Sequence, residues 1–301
     1  MASKGVGKGI SKRNKWIIGG VAGFVILFVL VAVFGTPSAE LVFKDMNEKM
    51  LETKSVTIDQ KLAMKGTAEI TSRMYMDFNS STTLLAKGNF SFNITSAASP
   101  MAISGDLIKI GDSNYARFTK IASSNKTMDA SLNPTETKLK NKWIKVRSND
   151  QYASFTKTPI DLTSAIMPVP YANLNDTQLK TVVGILQDKS MYTIGESSKV
   201  DVSGVSAYKY LLTYNKDQFK KAAKAIAGYI SYFKSDGESS DQIASLTVWA
   251  NISTKQLIKI EYTGTAASGG DVTGTISFSD YNKTQAVEKP SDYSIESELL
   301  N

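Results

Sequence analysis

The stretch "SLTVWANISTKQLIKIEYTG", residues 245–264, decides the fold of this chain because it holds two strand patterns joined by a polar turn. Leu246, Val248 and Ala250 alternate with other residues, so they share one face of the first strand. Trp249 belongs to the opposite face, and a single large aromatic residue in a strand is usually structural. The pattern predicts a hairpin whose apolar face borders a core or a cavity and whose tryptophan packs against a neighbouring strand or helix.

Composition excludes several classes of function. The chain has 301 residues, 42% of them apolar, which is enough to bury a sizeable core. It has no cysteine and no histidine, so disulfides, thiolate metal sites, Ser-His-Asp triads and most zinc sites cannot form. A serine–lysine pair or a carboxylate dyad remains formally possible, but no spacing singles one out. We therefore expect a protein that is not an enzyme and that uses no cofactor or metal.

The positive charge of the chain is concentrated at its N-terminus. Of the formal net charge of +7, five charges lie within residues 1–15, which contain no acidic residue. The rest of the chain is close to neutral and lacks the broad basic surface that binds a phosphate backbone. We expect no nucleic-acid partner.

An uncharged apolar segment follows the basic residues. Residues 16–35 match the thickness of a hydrocarbon core at about 1.5 Å per residue, and the basic tail at 1–15 predicts a cytoplasmic N-terminus. This pattern predicts a single-pass signal-anchor in the cytoplasmic membrane, with a domain of residues 36–301 on the extracytoplasmic side. A cleaved signal peptide is the alternative, with Ala39 as a poor cleavage position, but the apolar run is long for one.

The extracytoplasmic residues predict one α+β domain. Thr36 is expected to cap a helix that runs to about Thr53. Strand patterns of period two, separated by short turns, follow at 56–121, 142–146, 191–214 and 245–282, as is typical of antiparallel meanders. The fold class is therefore a long curved antiparallel sheet with helices on one face.

Two segments between the strands predict loops. Residues 120–142 are polar and predict a long loop. Residues 158–174 hold three prolines among apolar residues, which is compatible with a lid over a cavity or with plain core packing. A helix capped by Asn175 or Asp176 should follow.

A second amphipathic helix is predicted at about 216–234, with Asn215 as its cap. Its apolar residues fall on one stripe at helical spacing, which is the face expected to meet the sheet. The opposite face carries Lys220, Lys221 and Lys224. These lysines form either a solvated surface or a contact with acidic lipid headgroups.

Several segments together resemble a known family. The opening hairpin, "IKIGDSNYARF" followed by "KWIKV", "VSGVSAYKYLLTYNKDQF" and "FSDYNKTQAVEKPSDY" occur in the order seen in the LolA-type lipoprotein-carrier superfamily. They are most similar to its LppX and LprG lipoprotein family. The resemblance covers about residues 40–293. Two departures stand out: the chain lacks the lipid-attachment cysteine, and Ala250-Asn251 follows Trp249 where the family often has an acid.

The resemblance implies an incomplete β-barrel whose concave face is plugged by helices and whose apolar cavity holds acyl chains of a lipid or lipoglycan. Family members carry lipids or lipoproteins across the envelope or act as envelope sensors. The residues expected to line the cavity are Phe219, Ala222, Ala223, Ile226, Ile230, Phe233, Leu246 and Val248.

The sequence therefore favours a membrane-anchored, extracytoplasmic lipid-binding protein, acting as carrier or sensor. The alternative is a structural or protein-interaction module of the cell envelope, with the same fold and a filled core. A continuous apolar cavity of several hundred Å³ would favour the first.

Overall fold

The computed structural model describes residues 36–79, 83–96, 100–147, 150, 153, 155, 157, 170–188, 191–231, 243–265 and 270–300. The predicted membrane segment at 16–35 and the basic tail lie outside these residues and stay predictions. Among the helices of the described part of the chain, none is long and apolar enough to cross a membrane.

Twelve strands and five helices make up the described residues. The strands are β1 Ser55–Met64, β2 Ala68–Asp77, β3 Leu85–Ile94, β4 Met101–Ile110, β5 Ser113–Ala122, β6 Trp143–Val146, β7 Tyr192–Val202, β8 Val205–Tyr214, β9 Ile243–Asn251, β10 Leu257–Thr265, β11 Asp271–Ser279 and β12 Ser294–Ile295. The helices are α1 Ala39–Leu51, α2 Lys126–Leu139, α3 Asp176–Asp188, α4 Lys216–Ile226 and α5 Glu296–Leu300.

All twelve strands belong to one sheet in the order β12-β6-β5-β4-β3-β2-β1-β11-β10-β9-β8-β7. The sheet is curved, does not close, and is antiparallel except where β12 pairs with β6. We call the face that packs beneath the helices the inner face and the opposite one the outer face. The α+β class and the curved antiparallel sheet predicted from the sequence are confirmed.

The opening hairpin forms as predicted, from β9 and β10. Val248 pairs with Ile260 on the inner face, and both side chains are fully buried. Trp249 lies on the outer face between Lys259 and Lys209, whose ammonium groups are 5.1 and 5.6 Å from its ring centroid. Trp249 is 8% exposed. Its cover is two lysine side chains from neighbouring strands, which makes its position structural.

Glycines relieve crowding where the sheet packs most tightly. Gly274 pairs with Tyr262, and a Cβ at Gly274 would overlap the tyrosine ring. A Cβ at Gly105 would overlap the backbone oxygen of Arg117 on the neighbouring strand. Glycine inside a strand commonly marks such a close approach.

The first helix begins two residues later than predicted. Ser38, not Thr36, is the cap, since its side chain accepts a hydrogen bond from the backbone N–H of Leu41 at 3.2 Å. The helix is fixed to β8 through the Tyr210 hydroxyl, which donates to the carbonyl of Ala39 at 2.7 Å.

The loop predicted at 120–142 is wrong. Strand β5 continues to Ala122, and α2 then fills most of the interval. The Asn125 side chain caps α2 by accepting from the N–H groups of Thr127 and Met128 at 3.0 and 3.2 Å. Leu139 anchors the end of the helix in the core. Only a narrow side of this helix is buried, so most of its residues are polar. The few apolar residues do not form the helical stripe that would have predicted a helix.

The C-terminal segment crosses the outer face, which sequence reasoning did not foresee. We call residues 280–293 the strap. The Ser55 hydroxyl donates to the carbonyl of Lys283 at 3.0 Å, and the Gln285 N–H donates to the Tyr75 hydroxyl at 3.1 Å. The strap then leads into β12, and its path over the outer face explains why Tyr75 is buried there.

Candidate functional site

The residues predicted to line a cavity meet on the inner face of the sheet. Leu246 and Val248 lie on β9, and the predicted stripe lies on α4 and the turn after it. Those described are at most 3% exposed and share one apolar cluster: Phe219, Ala222, Ala223, Ile226, Ile230, Leu246 and Val248. Phe233 lies outside the described residues. The sequence grouped the described residues correctly in space, while their role in binding stays a prediction.

Asn215 begins α4 as expected, since its side chain accepts from the N–H of Gln218 at 3.1 Å. Ala222, Ala223 and Ile226 on this helix are fully buried in the apolar cluster. The helix packs closely against α3. The helix itself ends at Ile226, earlier than predicted.

A polar cluster interrupts the apolar inner face. Gln60 on β1 and Ser72 on β2 are directly paired, and the Ser72 hydroxyl donates to the Gln60 amide oxygen at 3.4 Å. Tyr262 on β10 completes the cluster, and all three residues are 6% exposed or less. Burial raises the pKa of Tyr262 well above its ordinary value, and the nearby amide of Gln60 opposes this shift. Tyr262 is therefore a neutral phenol at physiological pH.

Sequence reasoning missed this cluster, although a signal was present. Val56, Ile58 and Leu62 alternate as an inner face, and Gln60 stands where the next apolar residue belongs. Ser72 breaks the alternation of β2 at the paired position. Polar residues at paired apolar positions of neighbouring strands mark a buried polar cluster.

The end of the proline-rich segment packs at the C-terminus of α1. Only residues 170–174 of this segment, predicted at 158–174 as a lid or as core packing, are described. The Ala172 N–H donates to the carbonyl of Met50 at 3.1 Å. The Tyr171 ring stacks on Phe78 at 5.7 Å between centroids, and its hydroxyl bonds that of Tyr281. Burial and the neighbouring Tyr281 raise the pKa of Tyr171, so this contact fixes the segment to the sheet in its neutral form.

The outer face carries a row of paired polar side chains that crosses six strands. Each member is the direct cross-strand partner of the next, in the order Trp143, Arg117, Asp106, Asn89, Arg73 and Asp59. We call this series the polar row. Arg73 and Arg117 each bond the aspartate beside them, and the Arg117 guanidinium lies 5.0 Å from the centroid of the Trp143 ring.

A groove of about 370 Å³ lies between the polar row and the strap. We call it the outer groove. Its lining includes Arg73, Tyr75, Lys87, Asn89, Arg117, Trp143 and, from the strap, Gln285. The sequence analysis did not identify it, because its walls come from strands and a tail far apart in the chain. Within the described residues, no cluster of three acidic, histidine or cysteine side chains has the arrangement of a metal site.

Comparisons with known proteins bear on the fold. No family model and no curated protein matches this sequence. Among solved structures, the chain is similar to LprF from Mycobacterium bovis at 12% identity and a TM-score of 0.46, covering 85% of this chain and all of that one. It is similar to MucB at 10% identity and a TM-score of 0.33, covering 84% of this chain and 64% of that one.

A LolA superfamily protein from Nitrosomonas europaea is 11% identical over 84% of this chain and 98% of its own length, with a TM-score of 0.24. The chain spans less than two thirds of MucB. The open curved sheet with helices on one face has the half-barrel shape that the sequence analysis expected. TM-scores below 0.5 carry no argument about function, which must come from this chain's own residues.

Proposed function

We propose that this chain is an extracytoplasmic lipid-binding protein without enzymatic activity, held at the membrane by residues 16–35. Its inner face would bind the acyl chains of a lipid or lipoglycan, and it would act locally as a carrier or sensor. Binding of this kind needs an apolar surface and no bond-making chemistry.

The observation that carries this proposal is the combination of an apolar inner face with a buried polar cluster inside it. The Tyr262 hydroxyl in this cluster is buried and has no hydrogen-bond partner among the described residues, which costs free energy in a core that serves stability alone. A neutral phenol and a side-chain amide are groups that hold the polar part of a lipid whose chains lie on the surrounding apolar residues.

A second candidate is an interaction module of the envelope with a filled core. It is favoured by the near-complete burial of Ala222, Ala223 and Ile226, which is the condition of ordinary packed side chains. The two candidates differ in what lies between α4 and the sheet.

A photoactivatable lipid with a diazirine near the end of its acyl chain separates the two candidates. The full-length chain in vesicles containing this probe is irradiated and digested, and labelled peptides are mapped by mass spectrometry. We expect labels on peptides containing Ile226 or Val248. Labelling confined to residues 16–35 would contradict lipid binding by the domain.

The variant Ile226→Trp sharpens this test. If acyl chains lie beneath α4, the added ring occupies their space, and labelling of the domain falls while the melting temperature stays. If the core is filled, the ring overpacks it and lowers stability by about 1–3 kcal/mol. Lys224→Trp, on the exposed side of the same helix, is the matched control and should change neither measurement.

A further inference from the structure

The outer groove lies on the face of the sheet opposite the proposed lipid site, so it needs a separate explanation. Its floor is formed by the polar row and its rim by the strap at Gln285. Its volume of about 370 Å³ falls in the range of small-ligand sites.

The three cations that line the groove, Arg73, Lys87 and Arg117, differ in their partners. Arg73 bonds both oxygens of Asp59 at 2.9 and 3.0 Å, and Arg117 bonds Asp106 through Nε and Nη2 at 3.0 and 2.8 Å. Lys87 lies on β3, which stands in the sheet between β2 with Arg73 and β5 with Arg117. Its side chain is half-buried. In the described part of the chain, no carboxylate lies within 4.0 Å of its ammonium group. Lys87 is therefore the cation of the groove lining that has no acidic partner at salt-bridge distance among the described residues, and it is partly removed from water.

The residues around Lys87 supply hydrogen-bond donors for an anion. Lys87 is paired with Tyr75 on one side and Ile108 on the other, and it lies two residues before Asn89 on the same face of β3. A guanidinium has five N–H donors, and the aspartates accept only some of those on each arginine. The exposed amide of Asn89 adds a further donor, and Trp143 offers an apolar wall for the rest of a ligand.

We propose that the outer groove binds a small ligand through one oxyanion, a carboxylate or phosphate, held by Lys87 and Asn89 between the two arginines. The strap closes one side of this site, so the bound ligand contacts the strap at Gln285. This site is independent of the inner face, and its ligand need not be the lipid proposed there.

The reactivity of Lys87 tests the proposal in the full-length chain. The protein in a neutral detergent is acetylated briefly, and the labelling of each lysine is quantified by mass spectrometry. The probes are acetate, inorganic phosphate and glycerol 3-phosphate, with chloride at equal ionic strength as the reference. For a site with a Kd of about 1 mM, probe at about ten times that concentration should lower Lys87 labelling roughly tenfold. Lys61, on the same face and paired with Glu69, is the control lysine and should not change.

A further arm with vesicles containing phosphatidylglycerol distinguishes the sources of the anion. Protection by the soluble probes identifies a free small anion, and protection by the vesicles alone identifies a lipid headgroup; both outcomes support an oxyanion site. No protection by any probe, or equal protection of Lys61, overturns it.

The variant Asn89→Leu provides a second measurement, because Asn89 is exposed and its replacement leaves every charge in place. We expect protection of Lys87 to weaken severalfold while the melting temperature is unchanged. Unchanged protection in this variant would remove Asn89 from the site and leave only general attraction by positive charge, which also contradicts the proposal.

Discussion

The two faces of the sheet are built from the same strands by different rules. On the inner face, apolar residues alternate along each strand and pack beneath helices. The sequence of a single strand therefore predicts which of its two faces is buried. On the outer face, polar residues acquire partners only across strands, as Arg73 does with Asp59 and Arg117 with Asp106. The inner face is thus a property of each strand, whereas the outer face is a property of the register between strands.

This difference also separates stability from specificity. Burial of large apolar side chains supplies most of the folding free energy. Exposed ion pairs contribute about 0–1 kcal/mol each, but a shift of one residue would break every pair of the polar row at once. The outer face therefore helps to select one pairing register between the strands. A single register is needed because a slip of one residue would move the apolar side chains of a strand to the outer face.

The largest effect that would sharpen this comparison is expected at Phe118, which is fully buried on the inner face of β5 and meets Phe90 edge to face at 6.1 Å. Phe118→Ala should lower the free energy of unfolding by about 3–5 kcal/mol, because it removes a ring and leaves a cavity. Urea unfolding followed by circular dichroism measures this loss. Lys120→Ala, on the exposed face of the same strand, should stay within about 0.5 kcal/mol. Similar losses from both variants would contradict the division of roles between the faces.

A middle-sized effect is expected from added volume on the inner face. Gly274→Ala places a methyl group against the buried ring of Tyr262 and should cost about 1–3 kcal/mol. Gly270→Ala, immediately before the same strand, is the control, since nothing lies within 4 Å of its Cβ position. Thermal unfolding of both variants measures the difference.

The tight contact can be confirmed by rescue. Tyr262→Leu shortens the side chain over Gly274, so the double variant should lose less stability than the sum of the two single variants. Additive losses would mean that the ring and the glycine do not constrain one another.

The sequence predicted the inner face well because the spacing of apolar residues along a strand or helix indicates which side is buried. The alternation in 245–264 located β9 and β10, and the helical stripe around Ile226 placed α4 against the sheet. Asn215 gave the start of that helix, because a side-chain cap is a local interaction. All three inferences depend on neighbours close in the sequence.

The features that the sequence did not predict depend on distant neighbours or on weak local signals. The outer groove needs the cross-strand register and the path of the strap over Tyr75, neither of which leaves a periodic pattern. Helix α2 has Pro134 in its interior and few apolar residues, so its composition favours a loop. The Gln60–Ser72 pair was hidden because each residue alone reads as one irregularity in an apolar strand.

The smallest effect that would sharpen the comparison is expected at Trp249, the one large aromatic side chain of the opening hairpin on the outer face. Lys209 and Lys259 lie over its ring, so charge and aromatic surface meet where the inner face would use apolar packing. Lys209→Met keeps most of the aliphatic stem and removes the charge. We expect a loss of about 0.5–1 kcal/mol, the usual size of an exposed cation–π contact.

A double-mutant cycle with Trp249→Leu isolates this contact, measured by urea unfolding. A coupling free energy of about 0.5 kcal/mol or more between Lys209 and Trp249 would assign the loss to their interaction. Lys220→Met, on the exposed face of α4, controls for the change of net charge and should show no coupling to Trp249. Strict additivity at Lys209 would mean that the lysine stem only covers the ring, and burial by aliphatic carbon would then hold the tryptophan on the outer face as it holds side chains on the inner one.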